Sequence, residues 1–325
     1  MAHVLITGGA GFIGSHLAEA LLVRGDRVTV VDNESTSSAA NLAAIREHPR
    51  FRYVRGSVAR RALVRRLLAD VDCVYHLAAA VGVELIVSNP IRTIETNIYP
   101  TELLLAEMRR QQKRGRTIKF FLASTSEVYG KNPLAKWTEE DDLVFGPTTR
   151  PRWSYGVSKA IDEFLALAHW SEHRLPIVVA RFFNVVGPRQ TGAYGMVLPR
   201  FVDAALAGGP LVVHDDGRQV RCFAHVADVV AAVIALMHTP AAEGRVFNVG
   251  SDHPVSILEL AQRVVAAVDP KLPIEFCSYQ AAYSEDFEDV RSRVPDLSRL
   301  RATIDCQPRY DLEAIIRDVI AAKRA

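Results

Sequence analysis

The chain has little cysteine and no concentration of charge, and each scarcity removes a class of function. Its four cysteines, Cys73, Cys222, Cys277 and Cys306, are widely scattered, with no CxxC pair and no His/Cys cluster at metal-ligand spacing. A disulfide scaffold is therefore not expected, no metal site is assigned, and four reduced thiols fit a reducing compartment. The formal net charge is only +2, with acids and bases mixed along the length. No basic block argues for nucleic acid and no acidic tail for a solvating arm. No apolar run approaches the ~20 residues that span a bilayer. The opening MAHVLITGG is a strand running straight into a glycine turn, which leaves no room for a charged leader and an apolar signal core. The expectation is a cytoplasmic protein with neither membrane nor nucleic-acid partner. Internal repeats and low-complexity segments are also missing.

What is present is a chain of 325 residues, 49% apolar, long enough for one large or two intimately packed domains. Short β-branched runs alternate with helical stretches: His3–Thr7, Arg27–Val31, Phe51–Val54, Cys73–Leu77, Ile118–Ala123 and Ile177–Arg181. Strand, helix, strand in that order predicts right-handed crossovers and a doubly wound parallel α/β sheet. The runs are apolar on both faces, as a sheet covered by helices on both sides requires. Beyond Arg181 glycine and proline punctuate the sequence, then Ala224–Met237 reads as a strand end and helix and Val246–Val249 as a strand. These features predict a first domain of residues 1–181 plus 223–249, and a smaller, mainly helical lobe of residues 182–222 plus 250–325.

Residues 8–14 read GGAGFIG, immediately after a strand and opening an apolar-periodic helix (Ile13, Leu17, Leu21). In that setting Gly8, Gly9, Gly11 and Gly14 allow a tight turn, close approach of backbone to a pyrophosphate, and close helix-to-strand packing, the phosphate turn of a Rossmann sheet. Asp32 ends the second strand, placed to hydrogen-bond a ribose diol and to repel a 2′-phosphate, and no arginine follows until Arg46. NAD is expected rather than NADP. Further on, Tyr155 and Lys159 stand four apart in SYGVSKAIDEFLALAHW, which puts phenol and ammonium on one helix face. A nearby cation stabilises a phenolate, so Tyr155 is a candidate base. Upstream, ASTSEVYG (123–130) closes the fifth strand, at the end where a doubly wound sheet presents its site.

GGAGFIG, HLAAAVGV (76–83), STSEVYG, YGVSK and RFFNVVGPRQ (181–190) resemble the extended short-chain dehydrogenase/reductase family, the NAD-dependent sugar-nucleotide epimerases, dehydratases and decarboxylases. PRWSYGVSK, QVRCF (219–223) and FEDVRSRVPDLSRL (287–300) look most like its UDP-glucuronate decarboxylases. The resemblance implies a cofactor site of Gly8, Gly11, Phe12, Ile13, Gly14, Asp32, Asn33, Ser57, Leu77, Ala78 and Ala79, with Tyr155 and Lys159 against the nicotinamide ribose. It implies Thr125 beside Tyr155 at the sugar 4-hydroxyl. Asn184, Gln219, Arg221, and Arg291 or Arg293 would hold the nucleotide sugar, with Val197, Leu198 and Phe201 lining a uracil pocket. The chain departs from the family at Gly56-Ser57, where Gly-Asp often contacts adenine. The helix carrying Tyr155 and the Thr101–Arg110 helix resemble the family's intersubunit contact, so a homodimer is expected.

The chemistry that follows from the resemblance begins with oxidation at carbon 4 and divides at residues 126 and 127. In a glucuronate the new ketone is β to the carboxylate and is itself the electron sink for loss of carbon dioxide. A 4,6-dehydratase resembles this strand end with Thr-Asp-Glu, but Ser126 replaces the leaving-group acid here. Simple 4-epimerases usually carry small or hydroxyl residues where Glu127 stands. UDP-glucuronate decarboxylase is thus the leading expectation, a UDP-glucuronate or UDP-hexose 4-epimerase the alternative, and a non-catalytic NAD-binding sensor a third reading. Bland readings stand beside these: an isolated Arg221 or Arg293 reads as a surface residue, His76 as packed support near the cofactor, and Cys222 as a small core residue.

Overall fold

The computed structural model describes residues 1–80, 89–192, 196–279 and 290–324, and every structural statement concerns these residues. The last part of HLAAAVGV (81–83) and residues 287–289 of the C-terminal segment lie outside them.

Strands β1 (His3–Thr7), β2 (Arg27–Asp32), β3 (Phe51–Arg55), β4 (Cys73–His76), β5 (Lys119–Thr125) and β6 (Ile177–Phe182) are joined by a later strand into one seven-stranded sheet. The later strands are β7 (Val185–Val186), β8 (Leu211–His214), β9 (Val220–Cys222), β10 (Ala224–His225), β11 (Arg245–Val249), β12 (Pro254–Ser256), β13 (Ile274–Cys277) and β14 (Ser292–Arg293). The sheet order is β11-β6-β5-β4-β1-β2-β3, all parallel. The two-residue period of a strand sends alternate side chains to opposite faces, and here each face has its own core. Val4 and Ile6, Val28 and Val30, and Val178 and Ala180 enter one core. Leu5, Val31, Ile177 and Val179 enter the other.

Helices α1 (Phe12–Val23), α2 (Arg61–Leu67), α3 (Pro90–Gln112) and α4 (Ser154–His173) follow in chain order. Then come α5 (Val197–Leu206), α6 (Val226–His238), α7 (Ile257–Val268), α8 (Ser298–Thr303) and α9 (Leu312–Arg324). Helices α1 and α6 cover the first face, through Leu17, Leu21, Val229 and Val233. Helices α2, α3 and α4 cover the second, through Val64, Leu104, Met108 and Ala166. The chain leaves β1 toward β2 on one side and returns as β4 on the other, so the order reverses at β1 and opens a crevice at the C-terminal strand ends.

Beyond β6 a third core gathers Leu198, Phe201, Val213, Leu260, Val264 and Ile316 from β8, α5, α7 and α9. Beside its helices this region carries short strands, which pair in small sheets of order β10-β7, β12-β9-β14 and β13-β8. Strands of two to four residues are too short to write an alternation into sequence. Leu300 of α8 and nearby Ile304 pack back into the first core of the large sheet. Among the described residues, no helix is long and apolar enough to cross a membrane.

Candidate active site

A cavity of about 1410 Å³ runs from the glycine turn, across the ends of β1, β4 and β5, to α5 and β9. At one end Gly8 has φ +70°, and a Cβ on Gly14 would stand 2.4 Å from the Gly8 carbonyl oxygen, so only glycine lets α1 start this close to the turn. Helix α1 has Gly11 at its N-cap, with no side-chain cap and no acidic residue in its first turn. Its free N–H groups and positive dipole end suit an anion. Asp32 is buried and fixed: one oxygen accepts the Ala10 N–H at 3.0 Å, the other the Glu34 N–H at 2.8 Å and the Ser37 hydroxyl at 2.7 Å. Carboxylate lone pairs remain for a diol. Asn33, Ser35, Thr36, Ser38, Asn41 and Ser57 surround this end of the cavity with hydroxyl and amide groups, and Leu77, Ala78 and Ala79 form its wall. This donor set fits a dinucleotide without a 2′-phosphate.

The middle of the cavity is built by β5 and the start of α4. Pairing of β5 with β6 continues to Thr125, two residues past the expected strand end, and delivers Ser124 and Thr125 to the crevice. Thr125 then caps a 3-10 turn (Ser126–Tyr129), its hydroxyl accepting the Glu127 N–H at 3.2 Å. A Cβ on Gly156 would lie 2.5 Å from the Glu127 carbonyl oxygen, so the glycine after Tyr155 lets α4 settle on that turn. The Tyr155 hydroxyl consequently meets the Thr125 side chain. Burial pushes the Tyr155 phenol up, the Glu127 charge pushes it further, and the Thr125 hydrogen bond draws it back.

Glu127 is gripped from two sides, by Arg152 Nη1 at 3.1 Å and by Arg293 Nη1. Burial opposes its charge, but Arg152, Arg293 and Arg221 together outweigh burial and bring the carboxyl down to about 2. It is therefore an anion throughout the neutral range. Arg152, 5% exposed, is the residue that sequence reasoning passed over. Its signal was present: it stands three residues before Tyr155, one helical turn, in PRWSYGVSK. Arg189, which was not anticipated, also lines the cavity, as does Arg200 within the expected Val197–Phe201 stretch. Arg189 is tied to Glu19 at 2.6 Å and to Ser15 at 3.1 Å.

Ser126, Asn184, Val197, Leu198, Gln219, Arg221 and Arg293 all line the cavity. Asn184, at φ +32°, donates to the Cys222 carbonyl at 3.1 Å, and Gln219 donates to the Tyr279 hydroxyl at 2.8 Å. Three expected residues do not line it. Phe201 is wholly buried in the third core, because its side of α5 faces β8 and α7 rather than the cavity. Arg291 is outside, held to Asp216 at 2.7 Å and Asp215 at 3.3 Å, so of the Arg291/Arg293 pair only Arg293 faces inward. Lys159 lies beneath the floor, its ammonium donating to Asp162 at 2.8 Å rather than standing in the cavity beside the phenol. His76 is packed support, as expected: buried between Thr7 and Thr101, it is driven down to about 3 by burial and is neutral. Burial likewise pushes the Cys222 thiol up to about 12, which makes it inert.

Residues 4–250 match the model of the NAD dependent epimerase/dehydratase family. The chain is 37% identical over 317 residues to a UDP-N-acetyl-alpha-D-glucosaminuronate decarboxylase of Bacillus cytotoxicus, covering 97% of this chain and 96% of that one. It is 35% identical over 309 residues to UDP-glucuronic acid decarboxylase 1 of Arabidopsis thaliana, covering 95% and 67%. Among solved structures it superposes on a UDP-glucuronic acid 4-epimerase from Bacillus cereus, in complex with UDP-glucuronic acid and NAD, with a TM-score of 0.86, 26% identity and 99% of both chains covered. With a family model matched over most of its length and relatives that share more than a third of its residues end to end, the chain belongs to the NAD dependent epimerase/dehydratase family.

Proposed function

We propose that this protein is an NAD-dependent UDP-glucuronate decarboxylase. The observation that carries the reading is the strand-end trio Thr125, Ser126 and Glu127 opposite Tyr155, with Glu127 held ionised between Arg152 and Arg293 and no carboxylic acid at position 126. NAD, when bound, takes up hydride from the sugar and later returns it. Gly8, Gly11 and Gly14 would admit its pyrophosphate to the start of α1, and Asp32 would hold its adenosine ribose. Tyr155, steered by Thr125, takes the proton of the sugar 4-hydroxyl. Once carbon 4 is a ketone, the electrons of the bond to the departing carboxylate pass into that carbonyl, and carbon 5 then needs a proton. Arg152 and Arg293 supply the positive charge a hexuronate requires. Glu127, ionised between them, has no proton of its own to give, so its place is to hold the two guanidinium groups at the uronate end of the cavity.

The same reading assigns residues 1–181 plus 223–249 to the cofactor and 182–222 plus 250–325 to the nucleotide sugar, with Asn184, Gln219, Arg221, Val197 and Leu198 as its contacts. It takes the protein as a cytoplasmic homodimer. Ile91 and Ile94 of α3 and Val157, Ile161 and Phe164 of α4 are exposed apolar side chains on two adjacent helices, Phe164 being 70% exposed, and a second copy would cover them. On α3 they lie in the first half, ahead of the expected Thr101–Arg110 stretch.

Incubation with NAD and UDP-glucuronate tests the activity: the product is a UDP-pentose lighter by one carbon dioxide. An isobaric UDP-galacturonate would establish the 4-epimerase instead. The Bacillus cytotoxicus relative favours one second reading, a 2-acetamido uronate as the preferred substrate, and parallel assays on the two uronates separate them.

A further inference from the structure

The chain beyond β7 turns back onto the helix that opens the cofactor site. Val185 and Val186 pair with Ala224 and His225 of β10, which anchors this stretch at its base. Residues 187–190 then make a tight turn, in which the Gln190 N–H donates to the Gly187 carbonyl at 3.3 Å and the Gln190 side chain to the Val185 carbonyl at 3.0 Å. Three hydrogen bonds join that turn to α1. His16 Nε2 donates to the Pro188 carbonyl at 3.0 Å. Arg189 Nη1 donates to the Ser15 hydroxyl at 3.1 Å, and Nη2 to Glu19 at 2.6 Å. The Ser15 hydroxyl spends its own proton on the Phe12 carbonyl at 3.0 Å, so toward Arg189 it can only accept. Arg189 has φ +69°, a left-handed backbone that a residue other than glycine adopts where its surroundings hold it there. The same turn forms cavity wall: Arg189 and Gln190 line the space together with Gly11, Phe12 and Ile13 at the start of α1. The proposed reaction gives none of these side chains a part.

We propose that Arg189 and Glu19 are positioning residues that clasp residues 187–190 to α1, and that this clasp sets how slowly NAD leaves its site. Both terminal nitrogens of Arg189 are spent on α1, so what it offers the cofactor is a fixed wall and not a free charge. The pair joins parts of the chain 170 residues apart, and its side chains are only 26% and 27% exposed, so solvent and salt screen it less than an open surface pair. A guanidinium that spans two acceptors also fixes direction as well as distance. A wall already in place costs the cofactor no ordering on binding, and such preorganisation shows mainly in the rate of release. The inference needs only that NAD binds, and it stands whichever nucleotide sugar is the substrate.

Fluorescence of bound NADH, chased with excess NAD in the absence of any sugar, reads the release rate directly. Arg189→Ala should speed release roughly tenfold. Alanine at this backbone angle is no less strained than arginine, so the change reports the side chain. Glu19→Gln keeps the shape, removes the charge and should speed release by about threefold. The double exchange, Arg189→Glu with Glu19→Arg, should bring the rate back toward the parent, which neither single reversal does. A merely structural ion pair would lower Tm and leave release at the parent rate, and that result overturns the proposal. Fast release from Arg189→Ala beside parent-like release from Glu19→Gln and Glu19→Ala would make Arg189 a direct contact of the cofactor, which overturns the clasp equally. Should Arg189→Ala fail to fold, the two Glu19 variants carry the test, since both leave the turn itself unaltered. Because the rate is read without a nucleotide sugar, its failure is distinct from failure to decarboxylate.

Discussion

At the scale of single residues, the site turns on two groups with opposite ionisation problems. Tyr155 resists losing its proton and Glu127 resists gaining one. Tyr155→Phe keeps the ring and removes the acceptor for the 4-hydroxyl proton, so NADH formation on adding UDP-glucuronate should fall ~100-fold or more with substrate affinity nearly unchanged. Near-normal turnover would place the base elsewhere. Glu127 makes a prediction about stability as well. Its carboxyl lies at about 2 in the fold, well below the ordinary value of a glutamate, so it contributes stability above that ordinary value that is lost as pH falls toward the lower one. Glu127→Gln should therefore destabilise the protein at pH 7, and the gap to the parent in denaturant melts should narrow toward pH 3. Tyr155 and Glu127 were legible because their types are scarce where they stand and their neighbours repeat a known pattern. Arg152 was not, since an arginine in a chain rich in arginine announces nothing until the fold buries it. Lys159 was legible as a partner on the right helix face, but spacing could not say that Asp162, on the next turn, would take its ammonium.

At the scale of elements, the large sheet could be read from the sequence because each strand is long enough to alternate between two cores. Expected strands matched the observed ones within two residues at either end. The small sheets beyond β6 escaped because their order is set by contacts distant in sequence, as when Arg293 pairs with Arg221. The turn between β1 and α1 offers a sharp test. A methyl on Gly14 meets backbone oxygen and carbon at 2.4 and 2.6 Å, atoms that cannot swing aside. Gly14→Ala should cost about 1–3 kcal/mol of stability and weaken NAD binding in calorimetry more than it weakens binding of the UDP-sugar. The exposed apolar side chains on α3 and α4 offer another. Phe164→Glu should convert a dimer to a monomer in light scattering at micromolar concentration, whereas a parent that is already monomeric would remove the homodimer from the proposal.

At the scale of the whole molecule, one cavity is shared between the large sheet, which brings the glycine turn, and the chain beyond β6, which brings Asn184, Gln219 and Arg221. Saturating NAD should raise Tm while NADP at the same concentration should not, because Asp32 sits among neutral side chains at that end of the cavity; equal stabilisation would refute the reading of Asp32. The grip on Glu127 also has a history in the life of each chain. Arg152 is 25 residues away in sequence, but Arg293 is 166 residues away and arrives as β14 threads between the lobes, beside a bridge from Trp137 to Pro295. During synthesis the parallel sheet can close up to β6 long before Arg293 leaves the ribosome. Until it does, Glu127 faces one arginine instead of two. A chain cut before β14 would thus leave Glu127 with Arg152 alone and would also lack Leu300 and Ile304, which complete the first core of the large sheet.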